Sequence, residues 1–132
     1  MPYLSAMEFA QVILYTDADG RARFREDAIA LTGGMPQARL SALMPSGGYQ
    51  LRMSPVGFSS DFHCTDNPQW LFVLGGHMEI FLQDGSSRIF GPGQHFYSND
   101  TLPAGARFDP HLHGHRSRQL GSEPLVTLFV RG

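Results

Sequence analysis

The chain has 132 residues, enough for one domain with a buried core. Its 42% hydrophobic and 17% charged content excludes a disordered chain, and a formal net charge of -2 leaves no basic block for nucleic acid or an acidic membrane. A single cysteine, Cys64, excludes an internal disulfide framework and fits a reducing compartment. No apolar run approaches the ~20 residues that cross a bilayer. The first residues lack the basic start and apolar stretch of a signal peptide. The expectation is one cytoplasmic domain over residues 1–132, with neither nucleic acid nor a membrane as partner.

Glycine and proline punctuate the whole chain and separate short runs of Val, Ile, Leu, Phe and Tyr, the texture of an antiparallel all-β domain. Residues 3–10 read as a short helix. Apolar residues within 1–10 also suit an N-terminal arm laid on a partner subunit. Residues 11–16 form a strand, and the Asp19-Gly20 turn leads into an alternating run at 21–25. Residues 26–31 continue as strand or form one helical turn. Residues 37–44 and 48–53 are further strand candidates. Residues 70–74 and 77–82 flank a Gly75-Gly76 turn. Residues 87–90 and 94–97 follow, each after a glycine-containing turn, and 124–131 close the chain. About ten strands suit a sandwich or a jelly roll.

One stretch carries the most information: His63, Thr65 and Gln69, then the apolar run Trp70-Leu-Phe-Val-Leu74, then Gly75-Gly76. A second group follows in Pro92-Gly93, His115 and Gln119. In spacing these resemble the two sequence motifs of the cupins, and the chain looks closest to small stand-alone bacterial cupins of unassigned activity. The resemblance implies a single-domain, cupin-type jelly-roll β-barrel with an internal pocket. It also implies a homodimer, and a divalent Fe, Mn, Ni or Zn ion in many members. Here Thr65 stands where the family usually has a second histidine, and Gln69 where it has a glutamate. Two imidazoles, an amide and a hydroxyl stabilise a cation less than a set with a carboxylate.

The histidine-rich segment Asp109 to His115 is where missing ligands would come from. His111, His113 and His115 alternate, so on a strand they would share one face. The metal reading is therefore His63, His113 and His115 with Asp100. The competing reading leaves His111 and His113 in a solvated loop. For ligand binding the expected residues are His63, Gln69, His115 and Tyr97. His95 is expected to be a strand histidine with one satisfied hydrogen bond, and Cys64 a small buried hydrophobe. Arg116 and Arg118 fall on the outer face. The leading function is a small-molecule pocket with a binding or sensing role. The alternative is a metal-dependent oxygenase or isomerase using His63 and His115 with His113 or Asp100.

Overall fold

The computed structural model describes residues 7–132. The expected helix over 3–10 and arm over 1–10 lie partly outside the described residues. Their described part contradicts a helix, because Glu8–Thr16 is the first strand, β1. It pairs antiparallel along its whole length with β2, Ala22–Ala30, so the undecided run at 26–31 is resolved mostly as strand. Two three-residue strands, β3 (Gly33–Met35) and β4 (Ala38–Leu40), make a small hairpin. β5 is Tyr49–Ser54, β6 Gln69–Gly75, β7 His77–Phe81, β8 Ser87–Phe90 and β9 His95–Asn99. β10, Arg116–Leu120, was not foreseen as a strand, and β11, Leu125–Arg131, closes the fold.

A six-stranded sheet has the order β2-β1-β9-β6-β11-β5, and a three-stranded sheet the order β10-β7-β8. Among the described residues only the β1–β9 contact is parallel. The chain passes between the sheets at Gly75-Gly76. Gly76 has φ +73°, and a Cβ there would collide with the Pro124 carbonyl. That position needs glycine for both reasons.

Strand period 2 assigns each side chain to a face. Leu14, Leu71, Val73, Phe96 and Leu125 point inward from the large sheet. Met78, Ile80, Leu82 and Phe90 point inward from the β7–β8 side, and all of these form one core. Removing Phe96 to Cβ would cost ~3–5 kcal/mol. The architecture is the all-β jelly roll expected from the sequence, with the interior left partly open at one end. Among the described residues no helix is long and apolar enough to cross a membrane.

On the outer face of the small sheet, Arg118 pairs with Glu79 at 2.8 Å and Ser87 donates to the same carboxylate. The outward placement of Arg118 is as expected. Gln119 points inward, but its amide holds backbone: it accepts from Gly57 N–H and donates to the carbonyls of Leu120, Gly121 and Glu123.

Candidate functional site

A cavity of about 530 Å³ opens between the sheets at the end away from the densest core. Its floor is apolar, with Leu71, Met78, Ile80 and Phe96. Its walls are polar, with His63, Gln69, Ser98, His115, Ser117 and Thr127. A mostly pre-formed hollow with a few convergent polar groups has the character of a small-molecule site.

The centre of the site is an imidazole pair. His63 and His115 face each other across an isolated antiparallel bridge, with reciprocal backbone hydrogen bonds of 2.9 and 3.0 Å. Their rings lie 4.7 Å apart, centroid to centroid, tilted by 58°. Gly114 makes this approach possible. Its φ is +82°, and a Cβ on it would overlap the His63 carbonyl.

Each ring has one nitrogen held from behind. His115 Nδ1 lies 2.8 Å from Asp100 Oδ2, and the Asp100 side chain is fully buried. The other Asp100 oxygen accepts from the Thr16 hydroxyl at 2.9 Å. His63 Nδ1 lies 2.8 Å from the Asp61 carbonyl. A carbonyl or carboxylate oxygen only accepts, so both Nδ1 atoms carry the proton. In the neutral imidazole Nε2 is then the lone-pair acceptor, and neither Nε2 has a protein partner among the described residues. Burial holds the His63 imidazole below its ordinary value of 6.5, and the charges of His115 and Arg52 add to that effect. The Asp61 contact opposes it.

The rest of the lining is equally specific. Thr65 Oγ1 meets Ser98 Oγ at 2.5 Å, and Thr65 N–H donates to the Asp100 carbonyl at 2.7 Å. Thr65 therefore locks the β9 end in place rather than facing the cavity as a free hydroxyl. The Gln69 amide reaches the cavity with no hydrogen-bond partner among the described residues. Arg52 and Arg131 also line it, and neither is paired with a carboxylate among the described residues. Arg52 lies over the Phe58 ring at 4.9 Å. Cys64 lines the cavity half-buried, and burial pushes its thiol up to about 11, with Asp100 and Asp66 adding to the rise.

The structure unites His63, Gln69 and His115, as the sequence predicted. It does not bring in Tyr97 or His113. Tyr97 has the opposite parity to the inward Phe96 and Ser98. It lies on the outer face, edge-on to Trp70, and donates to the Gly132 carbonyl at 3.2 Å. The 109–113 segment is a turn, closed by Leu112 and His113 N–H groups on the Asp109 carbonyl, so the strand alternation of the three histidines does not hold. His113 Nδ1 accepts from Asp109 N–H, and its ring packs near Phe108 and Gly20. Asp100 does reach the site, but behind His115 rather than beside it.

His95 also departs from expectation. Its Nε2 is buried without a hydrogen-bond partner, and its ring stacks on Phe9 at 4.9 Å on the outer face. Burial lowers its basicity. No local pattern points to Arg52, Ser98 or Ser117 in the lining; with the β5 and β9 registers known, parity places the first two.

Among the described residues no group of three or more His, Cys, Asp or Glu side chains is placed to hold a metal. The donor set stops at two imidazoles, short of the three protein ligands typical of zinc or non-haem iron sites. The residues present therefore do not fit a tightly held divalent ion.

No family model matches this chain, and no curated protein matches it. Two solved structures align along nearly its whole length. One is the cupin domain of Cnp3 from Schizosaccharomyces pombe, at 10% identity and a TM-score of 0.49, covering 97% of this chain and 85% of that one. The other is described as a putative mannose-6-phosphate isomerase from Ralstonia eutropha JMP134, at 19% identity and a TM-score of 0.36, covering 99% and 89%. At these values neither likeness carries a site or an activity over to this chain.

Proposed function

We propose that the chain binds a small polar molecule in the cavity at the His63–His115 pair. The observation that carries this is the pair of unpartnered Nε2 lone pairs opening onto one hollow. Two acceptors held at fixed separation call for a ligand that donates two hydrogen bonds, such as a diol. Gln69 can donate or accept beside them. Arg52 and Arg131 add positive charge at the wall, and an arginine without a carboxylate partner is a natural seat for an anionic group. The ligand class that satisfies all three features is a hydroxylated carboxylic acid. The role is binding or sensing, with His115 backed by Asp100 as the anchoring acceptor.

The test is a titration followed by NMR of the imidazole groups. D-gluconate, glucose and acetate serve as probes of the combined, hydroxyl-only and carboxylate-only chemistry. Gluconate is expected to shift the His63 and His115 signals most, and its heat of binding by calorimetry to be lost in the His63→Ala, His115→Ala double variant. No perturbation at either histidine by any probe would refute the reading. Titration with Ni(II), Mn(II) and anaerobic Fe(II) runs in parallel. Stoichiometric uptake lost in the double variant would replace this reading with a metal-dependent enzyme.

A further inference from the structure

The cavity is layered, and strand pairing gives the order of its layers. At the mouth, Gln69 pairs with Ser98 on one side and with Arg131 on the other, and all three line the cavity. The imidazole pair belongs to this layer, because Asp100, just beyond Ser98 on the chain, holds His115. One inward position deeper the row is apolar: Leu71 pairs with Phe96 and with Phe129. One further position deeper, polar groups return. Thr127 is the next inward residue of β11, and Ser54 lies on the neighbouring strand β5, where its own partner is Leu125. Along β11 the interval from Arg131 to Thr127 spans roughly 13 Å.

Thr127 and Ser54 are 2% and 3% exposed, and both line the cavity. Neither hydroxyl has a hydrogen-bond partner among the described residues. The inward neighbours of Thr127 are Leu125, Phe129 and its cross-strand partner Val73. Packing alone therefore favours Val at 127, which has the shape of Thr without the hydroxyl. A hydroxyl taken out of water with no partner destabilises the fold, and so works against stability at both positions. A ligand oxygen between them would reverse that. The two residues are diagonal neighbours across the β5–β11 pair, ~7 Å apart at the backbone, a spacing that one oxygen can bridge. Both groups are neutral and can donate or accept, which suits a ligand hydroxyl. Arg52, the β5 partner of Thr127, turns its guanidinium over the Phe58 ring instead.

We propose that Ser54 and Thr127 form a deep second subsite for a neutral hydroxyl, which makes the ligand an elongated hydroxy acid. Its carboxylate sits at Arg131, its middle crosses Leu71, Phe96 and Phe129, and its far hydroxyl bonds Ser54 and Thr127. The subsite rests on the reading of the mouth as the seat of a hydroxylated carboxylic acid, and adds length and a far polar end to that ligand. An extended eight-carbon chain, built on ~1.5 Å bonds, covers most of the interval between the two polar layers.

Calorimetry on the full chain tests this with 8-hydroxyoctanoate, octanoate and the diacid suberate. Hydrogen bonds to the far hydroxyl should make 8-hydroxyoctanoate bind about tenfold more tightly than octanoate. Thr127→Val with Ser54→Ala should erase that ratio, and Thr127→Ser should keep it. Thr127→Val should also raise the unfolding midpoint of the free protein by roughly 2–5 °C; a lower midpoint would mark the hydroxyl as structural and count against the subsite. Equal affinities for the two monoacids, or a preference that survives in the double variant, would overturn the proposal. Tighter binding of suberate than of 8-hydroxyoctanoate would assign the deep end to Arg52 and overturn it equally. Gluconate shifts at His63 and His115 report the mouth separately. Their presence without any hydroxyl preference would sink the subsite alone, and silence from every probe would sink both readings.

Discussion

Replacing Asp100 with Ala tests the architecture behind the imidazole pair. Asp100 is fully buried and makes side-chain hydrogen bonds to His115 at 2.8 Å and Thr16 at 2.9 Å. Losing a charge-assisted bond costs about 1.5–3 kcal/mol, and leaving the buried His115 Nδ1–H without an acceptor costs about 1–3 kcal/mol more. The sum, about 2.5–6 kcal/mol, brackets the usual cost of about 3–5 kcal/mol for removing one partner of a buried pair, and that narrower range is the expected loss. It is a large share of the ~5–15 kcal/mol that holds a domain folded. For a chain of this size it corresponds to a fall of roughly 10–20 °C in the unfolding midpoint. Urea unfolding at neutral pH, with the free energy extrapolated to water, measures it. Asp100→Asn keeps a carbonyl oxygen for His115 and should lose only about 1–2 kcal/mol. Nitrogen-15 spectra give an independent readout. His115 should be the Nδ1–H tautomer in the unmodified protein and a tautomer mixture in Asp100→Ala. An alanine variant within about 1 kcal/mol of the unmodified chain, with the same His115 tautomer, would refute the reasoning.

Gly114→Ala should cost at least ~1–3 kcal/mol from the positive φ alone, and the clash with the His63 carbonyl should break the imidazole pair; thermal unfolding and loss of the His63–His115 cross-peaks measure it. Burial depresses the basicity of both His63 and His95, so the folded state takes up protons less readily than the unfolded state. Their contribution is present above the unfolded value near 6.5 and is lost as pH falls through the lower folded values. Urea unfolding from pH 8 to about pH 5 should show declining stability, and His95→Phe should flatten that decline; rising stability on acidification would contradict it. The Cys64 thiol, raised to about 11, should react slowly with iodoacetamide at pH 8 and speed up only as pH approaches that value.

Much of the fold was legible because strands and turns are local. The runs at 11–16, 70–74, 77–82, 87–90 and 124–131 carry their own β-propensity, and glycines mark their ends. β10 was missed because Arg116-Ser-Arg-Gln carries no apolar signal; its pairing with β7 and the Arg118–Glu79 ion pair hold it. Of the segment 37–44 only Ala38–Leu40 is strand, because its partner β3 is itself three residues long and nothing pairs with the rest.

The site divides the same way. The amino-acid order supplied His63, Gln69 and a histidine from 109–115 as candidates, through the resemblance of their spacing to the cupin motifs. It also determined that Thr65 and Gln69 stand where stronger metal ligands could have been. Only the tertiary structure decided what backs those residues. Thr16 and Asp100 are 84 positions apart in the chain, and no local pattern could pair them. Only the structure separated His113 from His115. One residue, Gly114, turns the backbone into a conformation open to glycine, and the parity that linked the two histidines ends there. Faces in a β protein follow from register, and register is set by partners far along the chain.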